Sequence, residues 1–206
     1  PPATPAPQRQ AAARPPPPPA APAVPERFAG TGEVVRVLTR QIPLPAGPWR
    51  EAARWTEQSD PTLGSGFRQI FPVQNVIFVQ EQAGRAVAAI RVTATDNGGE
   101  ISGWSAPTAC RPEGSVARGI VSTAGLFLDC WQVRRREVGA TAFARVLPAG
   151  AVISSLHALG DSRNMMEVEY AFVTVPADRV AAWSAGAQAA VKRGYQGGLG
   201  AGLSAP

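Results

Sequence analysis

The fold is decided by one stretch, Gly125-Leu126-Phe127-Leu128-Asp129-Cys130-Trp131-Gln132-Val133, which three arginines follow. A mostly apolar run of this length, bounded by glycine and by charge, is typical of a buried strand. The run carries Cys130, and the chain has one other cysteine, Cys110. A bond between them would close a loop of 21 residues, which corresponds to about 3 kcal/mol of stabilisation if chain entropy dominates. We therefore predict a Cys110–Cys130 disulfide, with two unpaired buried thiols as the alternative.

A second pair of runs indicates how such strands are joined. Residues 152–159 and 166–172 flank the turn sequence Gly160-Asp161-Ser162. In the second run, apolar residues alternate with Glu167 and Glu169, so the two glutamates share one face of the strand. We interpret that face as solvated rather than catalytic. Such alternation is typical of an antiparallel sheet with one wet face.

Further strand signals come earlier in the chain. β-branched residues predict a strand within residues 33–40, and residues 49–57 favour a strand over a helix. Residues 76–80 and 86–93 flank a short glycine-containing turn at 82–85. Two β-rich runs around such a turn predict a hairpin.

Connections and helices complete the predicted elements. Residues 58–70 and 100–119 are punctuated by glycine and proline and predict loops. Residues 139–147 predict a short helix. Residues 176–193 predict a longer one, with apolar residues at helical spacing and Gly194 at its end. The fold class is therefore α+β or mainly β, with an antiparallel sheet of about six to eight strands and a C-terminal helix packed on it.

Composition divides the chain into three parts. Residues 1–25 hold eleven of the 21 prolines and eight alanines, which predicts an extended spacer that buries too little apolar surface to fold. Its five consecutive prolines predict a short polyproline II rod. Residues 26–194 predict a single globular β-rich domain with the C-terminal helix. Residues 195–206 predict a glycine-rich flexible tail.

Charge and cysteine content indicate the compartment. The net charge is +5, a mild excess that predicts weak attraction to acidic surfaces and no nucleic-acid binding. No stretch approaches the roughly 18 apolar residues of a membrane-spanning helix, so no transmembrane segment is predicted. The paired cysteines fit an oxidising compartment, and the composition resembles small exported proteins of Gram-negative bacteria with GC-rich genomes. We expect a periplasmic or extracellular protein whose signal peptide is not part of this sequence.

The only histidine, His157, is the first candidate for catalysis. On a strand it shares a face with Ile153, Ser155 and Leu159, so we assign it a structural role. The sequence contains no GxSxG elbow, CxxC pair, HExxH motif, EF-hand loop or dinucleotide fingerprint. We predict no catalytic residue, no metal site, no cofactor and no enzyme activity.

The sharpest charge feature is Arg134-Arg135-Arg136. Three arginines at a strand end can bind phosphate, an anionic lipid headgroup or an acidic loop of a partner. Peripheral contact with an anionic membrane surface is therefore one expectation, and a solvated strand end is the alternative. The residues expected to contact a partner are Pro15, Pro16, Pro17, Pro18, Pro19, Arg134, Arg135 and Arg136.

These observations lead to one main hypothesis about function. We expect a non-catalytic exported envelope protein that acts as an accessory or scaffolding subunit of a larger protein complex, tethered or strapped by its Pro-rich N-terminus. Its partner would be another envelope protein. The alternative is a module that binds a small ligand or an envelope polymer on a sheet face or in a tryptophan-lined groove. A hydrolase that uses His157 with Asp161 or a serine is the third hypothesis.

Overall fold

The computed structural model describes residues 33–58, 72–96, 113–122, 127–198 and 202–206. The elements it forms there are, in chain order, β1 (Val34–Val37), β2 (Arg40–Pro43), β3 (Trp49–Gln58), β4 (Pro72–Gln82), β5 (Arg85–Ala94), β6 (Ser115–Ser122), β7 (Leu128–Glu137), β8 (Ala151–Gly160), β9 (Met165–Phe172) and α1 (Ala177–Tyr195). Two short 3-10 turns, Val138–Ala140 and Ala142–Arg145, link β7 to β8.

Seven of the strands form one antiparallel sheet in the order β3-β4-β5-β9-β8-β7-β6. β1 and β2 form a separate two-stranded hairpin. Within the sheet β9 pairs with both β5 and β8, so it lies at the centre. The predicted fold class is confirmed, including the hairpins β4–β5 and β8–β9 and the helix that follows them.

The helix α1 and the β1–β2 hairpin cover one face of the sheet, called here the helix face. β-branched and aromatic side chains from the central strands meet the apolar stripe of α1 there. This layer contains most of the core, and the apolar area that it removes from water is the main source of stability. Its large members include Ile42, Trp49, Phe78, Ile90, Val168, Tyr170, Val180 and Val191.

The opposite face, called the second face, has two smaller apolar clusters. Leu128, Cys130 and Ala158 form one of them. The other forms where the 3-10 turns fold back over the sheet and bury Phe143 and Leu147 against its end. Cys130 is fully buried and is not a free thiol. Cys110 lies outside the described residues, so their pairing stays a prediction.

The structure departs from several local predictions. The strand expected within residues 33–40 is instead the β1–β2 hairpin, because the chain turns at Leu38, which has a φ of 54°. The loop expected over residues 100–119 was wrong at its end, since β6 begins at Ser115. The helix expected over residues 139–147 is a pair of 3-10 turns.

The described C-terminal residues, 202–206, contact the rest of the domain. Leu203 N donates to Leu44 O, and Trp183 Nε1 of α1 donates to Ser204 O at 2.7 Å. Residues 202–206 therefore lie along the helix face beside the hairpin. The predicted spacer at residues 1–25, Trp104 and residues 59–70 of the predicted loop at 58–70 lie outside the described residues.

Gly194 fixes how closely α1 approaches β2. A Cβ atom built at Gly194 would lie 1.9 Å from the backbone oxygen of Gln41, far inside van der Waals contact. Only glycine permits this approach. The prediction that Gly194 ends the helix was wrong, since α1 continues to Tyr195 and the positive φ of 77° falls at Gly197.

We predict that Gly194→Ala lowers the free energy of unfolding by about 1–3 kcal/mol, because the methyl group would push α1 away from β2. The control is Gly186→Ala in the same helix. A Cβ at Gly186 meets no atom within 4 Å, so its higher helix propensity should raise stability by up to about 1 kcal/mol. Urea unfolding of the two variants checks this. Equal effects of the two substitutions would contradict the close approach.

Candidate functional site

A chain of buried polar side chains joins α1 to the sheet and is called here the buried polar network. His157 in β8 is fully buried, and its Nδ1 lies 2.6 Å from Oε1 of Gln188 in α1. Gln188 donates from Nε2 to Oδ1 of Asp129 in β7 at 2.5 Å. On the other side of the ring, Nε2 lies 2.9 Å from Oγ of Ser155. Ser184 of α1 lies 2.6 Å from the same hydroxyl.

The direction of each hydrogen bond in this network follows from Asp129. An ionised carboxylate only accepts hydrogen bonds, so the amide nitrogen of Gln188 faces it and the amide oxygen faces His157. That oxygen requires a proton on Nδ1 of the ring. Nε2 of the neutral imidazole is then the acceptor for the hydroxyl of Ser155. Each buried group thereby finds a partner, which is the condition for such a network to stabilise a fold.

Electrostatics agrees with a neutral histidine. Burial lowers the pKa of His157 to about 4, and the hydrogen bond with Gln188 offsets this only in part. The network reaches solvent at its other end, where Lys192 Nζ lies 2.6 Å from Oδ2 of Asp129 and the lysine side chain is 45% exposed. Lys192 therefore supplies a positive charge beside the carboxylate without itself being buried.

The order serine, histidine, amide, carboxylate is similar to a hydrolase relay, but its location differs. Ser155 and His157 are each 0% exposed and lie beneath α1, so the hydroxyl faces the protein interior. The structure also gives Asp161 different partners, since its carboxylate accepts hydrogen bonds from the backbone nitrogens of Arg163 and Asn164. The arrangement supports a tie between α1 and the sheet.

A second set of contacts holds the C-terminal end of α1. Tyr195 donates from its hydroxyl to Oδ2 of Asp161 at 2.8 Å. Burial favours the neutral form of Asp161, but hydrogen bonds from backbone nitrogens and from Tyr195 outweigh it and lower its pKa. Arg40 of β2 lies 4.3 Å from the centre of the tyrosine ring and donates to the backbone oxygen of Tyr195. Helix, hairpin and the β8–β9 loop are thus joined at one point.

The two glutamates of β9 do not form the solvated face that the alternation predicted. Glu169 is 6% exposed, and Arg136 of β7 lies 3.3 Å from it. Glu167 is partly buried. Burial raises its pKa, and the positive charge of Arg91 partly offsets that effect. The prediction was wrong because long arginine side chains lie across the second face and cover it.

The structure separates the three consecutive arginines. Arg134 and Arg136 lie on the second face, where Arg134 donates from Nε to Oε1 of Gln132 at 3.0 Å. Arg135 alternates to the helix face and is exposed. The three side chains are thus divided between the two faces, and their contact with a partner stays a prediction. The other predicted contacts, Pro15 to Pro19, lie outside the described residues.

The most unusual surface is the sheet edge formed by β6. Four large apolar side chains there are exposed: Val116 by 54%, Ile120 by 47%, Val121 by 74% and Phe127 by 65%. Among the described residues, β7 is the one strand that pairs with β6. Val116 and Val121 fall at two irregularities in that pairing, so the regular ladder runs over residues 117–120.

Gly119 brings β6 close to the core. A Cβ at this position would lie 2.3 Å from Nε1 of Trp131, so the indole packs directly beneath the strand. Sequence reasoning missed β6 because its alternation is weak and glycine lies at its centre. The β-branched residues Val116, Ile120 and Val121 were the signal that could have found it.

The opposite edge of the sheet, β3, is built differently. Arg54 of β3 pairs with Glu51 at 2.6 Å, and Arg50 pairs with Glu81 of β4. Charged side chains along an edge strand discourage pairing with other chains. β6 contains one charged residue, Arg118, so the two edges are not equally protected.

No protein-family model matches the chain, and neither a curated protein nor a solved structure matches it. In the described part of the chain, no cluster of three or more His, Cys, Asp or Glu residues could hold a metal ion. The same residues include no helix that is long and apolar enough to cross a membrane.

We predict that the domain loses stability as pH falls from about 6.5 towards 4, because the unfolded chain binds a proton on His157 before the folded one does. The loss between pH 7 and pH 5 should be roughly 2 kcal/mol. Urea unfolding at the two pH values measures it. Since the chain has one histidine, NMR supplies a direct check, and a ring resonance that titrates near pH 6.5 would contradict a buried neutral imidazole.

Proposed function

We propose that this protein is a non-catalytic, exported accessory subunit of a larger protein complex and that it binds its partner through the β6 edge. The observation that supports this most directly is the exposure of Val116, Ile120, Val121 and Phe127 at the β6 edge, which among the described strands pairs with β7 alone. Several large apolar side chains exposed on one short edge are typical of protein interaction sites.

The edge supplies both parts of a strand-addition site. β6 is the last strand of the sheet among the described residues, and main-chain pairing at such an edge is the source of affinity in this mode of recognition. The exposed side chains of Ile120, Val121 and Phe127 supply apolar contacts beside that ladder. The irregularities at Val116 and Val121 limit regular pairing to residues 117–120, so a short extended segment fits better than a long strand.

The rest of the molecule supports a binding role. Ser155 and His157 are fully buried and hold α1 against the sheet, so the groups that could form a hydrolytic relay have a structural task. The proposed export rests on the predicted Cys110–Cys130 disulfide, and the proposed tether rests on the proline content of residues 1–25. Of the three arginines, Arg135 is exposed and remains a candidate for a partner contact.

We predict that Val121→Lys lowers recovery of the native partner by about ten-fold or more, because a lysine in the contact would have to be desolvated. Co-purification from the source membrane fraction in mild detergent, followed by mass spectrometry, measures the recovery. The matched control is Leu38→Lys, a residue 40% exposed on the β1–β2 turn. It should keep the partner at wild-type stoichiometry.

Two outcomes would contradict the proposed function. One is a wild-type protein that is monomeric and brings no stoichiometric partner with it. The other is a partner that Val121→Lys and Leu38→Lys retain equally, since the contact would then lie away from β6.

A further inference from the structure

We infer that the occupant of the β6 edge is an extended segment of a different protein that places a carboxylate opposite Arg118 and apolar side chains on either side of it. This inference rests on the proposed function and states which side chains the partner presents to β6. Arg118 is exposed and is the one charged residue of β6.

The register of β6 places Arg118 at the centre of the site. Arg118 pairs with Gln132 and Ile120 pairs with Cys130, so both side chains lie on the second face. An added strand would put a residue directly opposite Arg118 and another opposite Ile120, with Cβ atoms about 4.5–5.5 Å apart in each pair. Charge therefore selects the residue of the added strand that lies opposite Arg118. Apolar contact selects the residue that lies opposite Ile120.

Neighbouring side chains strengthen the preference for a carboxylate. On the second face, β6 and β7 carry Arg118, Arg134 and Arg136, and the acidic residues of these two strands, Asp129 and Glu137, alternate to the helix face. Glu169 of β9 lies two strands further in and already contacts Arg136. Within β6 and β7, a carboxylate opposite Arg118 would therefore face charged side chains of positive sign alone, and opposite charges across a strand pair attract.

The same geometry disfavours a second copy of this chain. When two copies of β6 pair antiparallel, directly opposed residues must lie on the same face of the extended sheet. The two-fold axis that relates the copies therefore lies between one residue and its own copy. If the pairing is centred within residues 117–120, the residue that faces its own copy is Arg118 or Gly119. These two arrangements place the two Arg118 side chains directly opposite each other or on the diagonal, about 5–8 Å apart. Like charges at such positions are destabilising, so self-pairing is the weaker use of the edge.

The test uses two synthetic peptides of about eight residues in which valine alternates with threonine. One carries glutamate at its centre and the other lysine at the same position. Fluorescence anisotropy with the full-length protein measures both affinities. We expect the glutamate peptide to bind at least about five-fold more tightly at low salt. This ratio should shrink as salt screens the charges.

Substitutions locate the effect. Arg118→Glu should reverse the preference, so that the lysine peptide binds more tightly. The matched control is Arg36→Glu, which changes an exposed arginine on β1 and should keep the preference for glutamate. Equal binding of the two peptides, no binding of either, or no effect of Arg118→Glu would overturn the inference. Wild-type dimers in sedimentation that Val121→Lys abolishes would overturn it in favour of a second copy.

The inference and the proposed function can fail separately. If Val121→Lys releases the native partner while Arg118→Glu leaves it bound, the edge is a binding site, but the inference of a partner carboxylate opposite Arg118 is wrong. If the partner stays bound to Val121→Lys, β6 is not the binding site, and the inferred preference for an acidic segment is wrong as well.

Discussion

The hydrogen bond between Gln188 and His157 is the interaction on which the arrangement of the domain depends. It lies where α1 crosses β8 and β7, and it connects the helix through Asp129 to the strand beside the β6 edge. Buried polar groups tolerate few arrangements, because each unpartnered donor or acceptor costs about 1–3 kcal/mol. Together with the close approach at Gly194 and the contacts of Tyr195, this network holds α1 in one register on the sheet.

The packing of the edge strand β6 depends on the position of α1 on the sheet. Trp131 lies directly against the backbone of β6 at Gly119 and packs on the same core cluster as α1, so that core supports the strand from the helix face. Among the described strands, β6 pairs with β7 alone and still exposes apolar side chains. β3 at the opposite edge is protected by ion pairs instead. One sheet thus combines a protected edge with an edge suited to recognition, and this asymmetry is the basis of the proposed function.

Sequence patterns predicted the fold class because alternation and turn residues report directly on strands and hairpins. They predicted His157 as structural because the pattern of β8 shows which residues share its face. They could not show that Gln188 and Asp129 complete its hydrogen bonds, since these residues meet only when α1 docks. β6 was missed because Gly119 interrupts its pattern, although it is there to accommodate Trp131. Glu169 was misjudged because a strand pattern does not reveal that Arg136 reaches across β8 to cover it.

The central claim is that β6 is the binding edge, and amide hydrogen exchange tests it most directly. Exchange would be compared between the purified protein and its native complex, peptide by peptide across the sheet. The account predicts that amides in residues 115–122 become strongly protected in the complex while those of β3 are unchanged. Unchanged exchange in β6, with new protection at β3 or on α1, would contradict it.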